Sequence, residues 1–299
     1  ENQKDIEKSP GKMVYTTTGY FTQHNLPFTL NHEFTEQAKM EEFLEESVGF
    51  EYKYSCGKTR NTTKNPPRPF TTSRVQQTAN TELRCSPKET MSICQKLYEG
   101  GFITYMRTDS ETYCKEFLDI AKNYITNKWG ENYVMPSLET MGEKKKGKKS
   151  KKEEANNAQE AHESIRPTQI TRTEIPEEFS AKERKMYALI WRNTVESCMA
   201  AAKYHALTGN ISAPFEKDYR HSTEQVVFPG WKAVAGYDQE NPVFAFLKAL
   251  KSIDTYKKIV SKVTLKELKQ HYTEAKLVQM LEEKGIGRPS TFASLIEKI

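Results

Sequence analysis

Tyr105 and Arg107 stand two residues apart in the run Ile103-Thr104-Tyr105-Met106-Arg107-Thr108-Asp109-Ser110, and a phenol beside a guanidinium suits attack on a phosphodiester. On an extended chain, side chains i and i+2 share a face, with Cα atoms about 7 Å apart. Ile103, Tyr105 and Arg107 are therefore predicted on one face of a short strand over 102–106 and its flank. Phe102, Thr104 and Met106 form the other, mostly apolar face. A phenol titrates near pH 10, so about one in a thousand is ionised at neutral pH, a deficit of about 4 kcal/mol. A cation about 4 Å away offsets about 4 kcal/mol at an effective dielectric of about 20. One well-placed guanidinium can thus make the oxygen a nucleophile, and can also grip a phosphate bidentately and stabilise developing charge. Taken alone, Tyr-x-Arg is more often an ordinary half-buried strand tyrosine.

Other residues could serve the same chemistry. Asp109 and Ser110 are predicted to open a helix running to Trp129, where Asp109 either caps the terminus or helps exposed N–H groups meet an anion; capping is the commoner outcome. His162 neighbours Glu163 and Arg166 in a polar cluster ahead of Pro167, although a lone histidine there is more often a surface residue. Lys284 and Arg288 flank Gly285-Ile286-Gly287, with Ser290 and Thr291 following. Backbone amides and a guanidinium in such a turn can clasp phosphate, and a plain helix-turn-helix packing unit is the equal alternative. Gln76 and Gln77 either reach bases and sugars or face water, and water is the favoured reading.

The elements that must position these groups follow from periodicity and caps. Strands are predicted at Val14–Phe21, Phe50–Tyr54, Tyr204–Ser212, Glu224–Ala235 and Ile253–Val260. Thr35 is read as the N-cap of a helix carrying Ala38, Phe43, Leu44 and Val48, ended by Gly49. Ser86-Pro87-Lys88-Glu89 and Ser180-Ala181-Lys182-Glu183 read as capping boxes, the second opening a helix to about Ala202. Thr273–Glu283 is a further helix, and Ser290 is read as the cap of a last one carrying Phe292, Leu295 and Ile296. The fold class is α+β and multi-domain. Residues 1–66 and 203–270 form two parts of a β-rich domain, 67–202 a helical domain inserted into it, and 271–299 the start of another helical domain.

Composition bounds the function. The 299 residues carry a net charge of +5, which permits a polyanionic partner without requiring one. Part of the excess lies in the Lys144–Lys152 run of a low-complexity stretch, 142–157, read as a solvated loop or a salt-sensitive DNA-binding arm. Five cysteines at 56, 85, 94, 114 and 198 form no C-x-x-C pair, which points to reduced, mostly buried thiols and away from a zinc ribbon. No apolar run is long enough to span a membrane. Glu1 opens the chain and Ile299 falls within a predicted helix, so the sequence is read as a piece of a longer one.

Four separated blocks resemble the type IA DNA topoisomerase family, in its bacterial topoisomerase I-like branch. They are Pro67–Gln77, Leu97–Ser110, Gln159–Thr168 and Leu281–Ser294, in family order. Met106, where the topoisomerase III branch usually has Pro, favours that sub-assignment. The resemblance implies that Tyr105 attacks a backbone phosphate of single-stranded DNA and becomes linked to the 5′ end. Arg107 positions that phosphate, His162 contacts phosphate or assists proton handling, and Arg288, Ser290 and Thr291 line the strand's path. Gln76, Gln77, Arg166 and Lys284 are further DNA-binding candidates. Another strand passes through the break, which the 3′ hydroxyl then reseals, relaxing negatively supercoiled DNA without ATP. The implied protein is a monomer of the cytoplasm, at the nucleoid, with no membrane role.

The family also implies an N-terminal Toprim domain that supplies a general-acid glutamate and a D-x-D-x-E cluster for Mg2+. No D-x-D occurs in this sequence, so no metal ligand is assigned, and zinc is not expected. The chain alone is expected to bind single-stranded DNA but not to relax supercoils. A phosphate-loop reading of Gly57-Lys58-Thr59 fails because Tyr52 stands where a glycine is required. A tyrosine recombinase or type IB enzyme would make a 3′ link instead. The non-enzyme alternative is a helix-turn-helix DNA-binding protein using Lys284–Lys298, which would prefer duplex.

Overall fold

A computed structural model describes residues 4, 6, 11–142, 163–253 and 255–298. In chain order the elements are β1 (Lys12–Tyr20), β2 (Pro27–Phe34), α1 (Gln37–Val48), β3 (Tyr54–Cys56), β4 (Arg60–Lys64), α2 (Thr72–Leu83), α3 (Pro87–Glu99) and α4 (Lys115–Trp129). They continue with α5 (Ala181–Ser197), β5 (Ala202–Ala213), β6 (Lys217–Phe228), α6 (Pro242–Ala249), β7 (Lys258–Lys266), α7 (Glu274–Glu283) and α8 (Phe292–Glu297). The chain forms two compact units, one of Glu1–Thr63, Lys203–Phe228 and Asp238–His271, the other of Lys64–Ala202, Pro229–Tyr237 and Tyr272–Ile299. The architecture is thus mixed α and β, with helices interrupting a β-rich unit in sequence.

The β-rich unit is a seven-stranded sheet in the order β3-β5-β6-β2-β1-β7, with β4 also on β5. β1 and β7 pair antiparallel over nine positions, from Lys12↔Lys266 to Tyr20↔Lys258. Its core gathers Phe21, Phe28, Leu30, Phe34, Phe43, Tyr52, Leu207, Ile211, Tyr219, Phe244 and Leu247. Every second residue of β5 from Leu207 to Ala213 points into it, the alternation a half-buried strand requires. α1 buries Met40, Phe43 and Ser47; of the predicted stripe Phe43 is buried and Leu44 packs on the core, whereas Ala38 is exposed and Val48 is 71% exposed. Ser47 can be buried because its hydroxyl donates to Phe43 O (2.7 Å), while Tyr52 Oη donates to Ser47 O (2.8 Å).

Several predicted boundaries move. Glu36, not Thr35, precedes α1, and it makes no side-chain cap. The strand placed at Phe50–Tyr54 lies at Tyr54–Cys56, and that placed at Ile253–Val260 lies at Lys258–Lys266. The strand expected to reach Ala235 ends at Phe228, because Pro229 brings no N–H to a ladder and a 3-10 turn follows. β2 and α6 have no counterpart in the sequence reading. Pro242 at the first position of α6 and the Asn241 side chain, which accepts from the N–H groups of Val243 and Phe244, give α6 a well-made start.

The helical unit has two apolar clusters. One joins α2, α3 and α5 through Phe70, Val75, Ala79, Cys94, Leu97, Ile103, Met106, Ile165, Met186 and Ile190. The other surrounds α4 with Tyr113, Phe117, Leu118, Ala121, Ile125, Ile170, Val195 and Met199. α5 carries a full capping box, Ser180 Oγ accepting from Glu183 N and Glu183 Oε2 from Ser180 N. Ser86 caps α3 by accepting from Glu89 N, but Glu89 turns away to pair with Lys182 (2.5 Å). α7 packs on α2 and α8 on α3 within this same unit. All five cysteines are free; Cys85, Cys94 and Cys198 are buried, and Cys56 is exposed.

Candidate active site

The segment bearing Tyr105 is irregular and is not a strand. Only an isolated bridge, Ile103↔Pro167, marks it, so the predicted strand over 102–106 does not form. Side-chain hydroxyls replace the missing ladder. Thr72, the first residue of α2, is fully buried; its hydroxyl donates to Met106 O (2.7 Å), with Thr108 O at 3.1 Å, and accepts from Thr108 N–H (2.9 Å). Thr72 N–H donates to Thr108 O (2.9 Å) as well. Thr104 ties the other end: its hydroxyl donates to Ser164 O (3.0 Å) and accepts from Arg166 N–H (3.0 Å), and its own N–H donates to Arg166 O (2.9 Å). Ser164 and Ile165 are in turn bonded to Phe70 O, at 2.6 and 2.9 Å. Three pieces of chain near 70, 104 and 165 thus hold one another.

From Thr104 onward the predicted alternation is present. Tyr105 and Arg107 are exposed, and Met106 and Thr108 are buried. Ile103 breaks it, being buried at 1% exposure rather than sharing a face with Tyr105, because Pro167 pairs with it. Tyr105 is 40% exposed and meets the ring of Tyr98 edge to face, with centroids 5.3 Å apart and planes at 66°. Arg107 has no ion pair among the described residues, and the same holds for Lys284 and Arg288. All three are exposed, so their cationic heads are open to an anion.

Asp109 does not open a helix. α4 begins at Lys115 with Cys114 as its cap residue, and 110–114 stay extended under Ser110 Oγ–Thr112 Oγ1 (2.8 Å) and Thr108 Oγ1 accepting from Ser110 N (3.1 Å). Asp109 instead lines a cleft of about 200 Å3 with Thr71, Ser73, Glu282, Gly287 and Arg288. The structure therefore brings the end of the tyrosine segment, the start of α2 and the glycine turn together. In that turn Gly287 has φ +83°, a backbone conformation that favours glycine, and a Cβ there would lie 2.8 Å from the tip of the Leu295 side chain, which would have to shift. Thr291, rather than Ser290, precedes α8; its hydroxyl accepts from Arg288 N–H (2.8 Å) and so closes the turn instead of capping the helix.

The remaining candidates are placed as follows. Arg166 forms a fork with Glu163 (Nε–Oε2 2.9 Å, Nη2–Oε1 2.8 Å), lies 4.2 Å over the Phe117 ring and leaves 11% of its side chain exposed. Glu163 also accepts from Cys114 N–H (3.3 Å), placing its charge at the N-terminus of α4. Gln76 does not face water: it is fully buried, and neither its Oε1 nor its Nε2 has a partner among the described residues. Gln77 donates to Ser73 Oγ (2.9 Å), which donates to Glu282 Oε2 (2.8 Å), and Asn80 reaches Glu274 (2.9 Å), so α2 and α7 meet through polar groups. His162 and the Lys144–Lys152 run lie outside the described residues. Sequence reasoning gave no role to Thr72, Thr104, Ser164 or Tyr98, although the quoted blocks contain all four; hydroxyls next to a site residue were the available signal.

Buried groups nearby have shifted titration. Burial raises the Glu196 carboxyl to about 7, against the opposing pull of Arg192 and Lys232 and with a further rise from Glu82. Burial raises the Cys94 and Cys198 thiols to about 12, so both are inert packing groups. Among the described residues no cluster of three or more His, Cys, Asp or Glu could hold a metal ion. None of the described helices is long and apolar enough to cross a membrane.

Comparison with known proteins gives these features a context. A family model described as DNA topoisomerase matches residues 3–299. The chain is 39% identical over 248 residues to DNA topoisomerase 1 of Synechococcus elongatus, covering 80% of this chain and 27% of the relative. It is 31% identical over 315 residues to DNA topoisomerase 1 of Helicobacter pylori, covering 99% of this chain and 41% of that one. The structure of full-length topoisomerase I from Thermotoga maritima superposes with a TM-score of 0.74 at 28% identity, covering 99% of this chain and 48% of the other. The chain thus spans less than half the length of the relatives it matches. None of the matches favours the helix-turn-helix alternative.

Proposed function

Since this chain belongs to the type IA DNA topoisomerase family, in its bacterial topoisomerase I-like branch, we propose that Tyr105 is the nucleophile of a reversible transesterification on single-stranded DNA. The phenolic oxygen forms a bond to phosphorus as the bond from phosphorus to the 3′ oxygen breaks. The phenol gives up its proton, the departing oxygen gains one, and the 5′ phosphate stays on Tyr105. Resealing is the same step reversed, one phosphodiester for another, so no ATP is consumed. The protein's part is positioning and electrostatics. Arg107 holds the scissile phosphate, while Arg288, Lys284, Ser290, Thr291 and the cleft beside Asp109 carry the strand. His162 handles phosphate or a proton, and Gln76, Gln77 and Arg166 act behind these groups as supports. In this reading residues 1–66 and 203–270 belong to one β-rich domain, 67–202 to the domain of the nucleophile, and 271–299 to a further one.

The observation that carries the proposal is the exposed Tyr105–Arg107 pair on a segment fixed at both ends by buried hydroxyls. The residues present do not fit the magnesium that the family implies, because no acidic cluster stands among the described ones, so no step here is routed through it. The whole protein is proposed to relax negatively supercoiled DNA as a monomer, in the cytoplasm at the nucleoid.

The test is covalent trapping. The full-length protein is incubated with single-stranded oligonucleotides labelled on either side of the break and denatured. The label on the fragment bearing the new 5′ end should travel with the protein, and Tyr105→Phe should abolish the adduct with folding retained. An adduct that survives in Tyr105→Phe, or one on the 3′ end, would falsify the assignment.

A further inference from the structure

The last turn of α3 holds a second exposed tyrosine. Leu97 is fully buried beside Cys94, whereas Tyr98, one residue on, is 41% exposed. α3 itself is a firm support, tied to α5 by Lys96–Glu183 (2.9 Å) and Lys182–Glu89 (2.5 Å) and capped by Ser86. Its exit is equally defined: Gly101 takes φ +74° while its N–H donates to Tyr98 O, and Phe102 N–H donates to Leu97 O, both at 2.9 Å. The chain therefore returns from α3 along one path, and the rings of Tyr98 and Tyr105 meet edge to face at 5.3 Å.

We infer that Tyr98 is a positioning residue for Tyr105, its ring selecting the rotamer in which the phenolic oxygen is presented to a phosphate. The inference rests on Tyr105 being the nucleophile. A tyrosine that is 40% exposed keeps much of its freedom about χ1 unless a neighbour removes it. The backbone clamps at Thr72 and Thr104 fix where the Cα of Tyr105 lies but not where its ring points. The edge-to-face contact with Tyr98 supplies a constraint on that ring, from a helix whose own position is set by burial and ion pairs. Both rings keep about two fifths of their surface in solvent, so the contact contributes little to packing and its effect falls on direction.

The experiment measures single-turnover adduct formation in the full-length protein, with Tyr98→Ala, Tyr98→Phe and Tyr105→Phe beside the parent. Tyr98→Ala should slow adduct formation about three- to tenfold, the scale of one aromatic pair, while oligonucleotide affinity and the melting temperature stay at the parent's values. Tyr98→Phe, which keeps the ring and loses only the hydroxyl, should restore the rate. A parental rate in Tyr98→Ala overturns the inference. So does a Tyr98→Phe as slow as the alanine variant, or a loss that appears wholly in affinity, which would make Tyr98 a DNA contact. Failure of the parent reading is separate: an adduct that persists in Tyr105→Phe removes the nucleophile and this inference with it.

Discussion

Replacing Thr72 by valine keeps the shape of the side chain and removes one hydroxyl, and the structure says what that hydroxyl holds. It serves two backbone groups that have no other partner among the described residues, the Met106 carbonyl at 2.7 Å and the Thr108 N–H at 2.9 Å, on either side of Arg107. The Thr108 carbonyl keeps the Thr72 N–H at 2.9 Å and is not orphaned. Thr72 is fully buried and Thr108 is 2% exposed, so water does not replace the lost partners. Each orphaned buried group costs about 1–3 kcal/mol, giving about 2–6 kcal/mol for the pair. For a unit of this size that is a fall in melting temperature of about 4–24 °C. Serine at the same position keeps the hydroxyl and loses a methyl, at a cost of about 1 kcal/mol. The assay is thermal unfolding followed by circular dichroism, alongside adduct formation below the transition. Thr72→Val should be the less stable and the slower variant. Equal melting of the valine variant and the parent, or a serine variant as damaged as the valine one, would refute the clamp.

Three further outcomes follow from the geometry. Glu196, 7% exposed, has its carboxyl raised by burial to about 7, above the unfolded value near 4.5, so its contribution is present below about pH 4.5 and is lost as pH rises through 7. Denaturation at pH 5 and pH 8 should show a loss on the order of 2 kcal/mol at the higher pH that Glu196→Gln removes; a variant with the parent's pH dependence contradicts this. Arg166→Lys cannot rebuild the fork on Glu163 and should destabilise the helical unit by about 1–3 kcal/mol while DNA affinity is kept; the opposite pattern would make Arg166 a direct DNA ligand. Gly287→Ala meets Leu295 at 2.8 Å in a positive-φ position and should cost about 1–3 kcal/mol, read as faster amide exchange in α8; unchanged exchange would contradict it.

What the sequence made legible was local. The caps at Ser86 and Ser180 stand where their side chains could be read, because a cap is decided within four residues. The exposure of Tyr105 and Arg107 was legible for the same reason, alternating with buried Met106 and Thr108. Strand limits were misread, because pairing such as Tyr15↔Val263 joins residues far apart and no local pattern encodes it. β2 was missed because its outward positions, Asn31 and His32 among them, hide the spacing of Phe28, Leu30 and Phe34. The burial of Gln76 was out of reach too, since it depends on how α2 packs in the helical unit rather than on anything nearby in sequence. Asp109 was assigned to a helix start because the hydroxyl turn of Ser110 and Thr112 that delays α4 resembles a cap in sequence.

The absence of a ladder around Tyr105 bears on when in synthesis the frame of that residue is complete. A nucleophile set in a hairpin would be ready as soon as its two neighbouring strands emerged from the ribosome. Here the segment waits for Ser164 and Arg166, made some sixty positions after Thr104, before its second anchor exists. A chain halted between the two would carry the tyrosine but not its frame. The frame around Tyr105 is thereby completed late in synthesis, and a prematurely ended product lacks its second anchor.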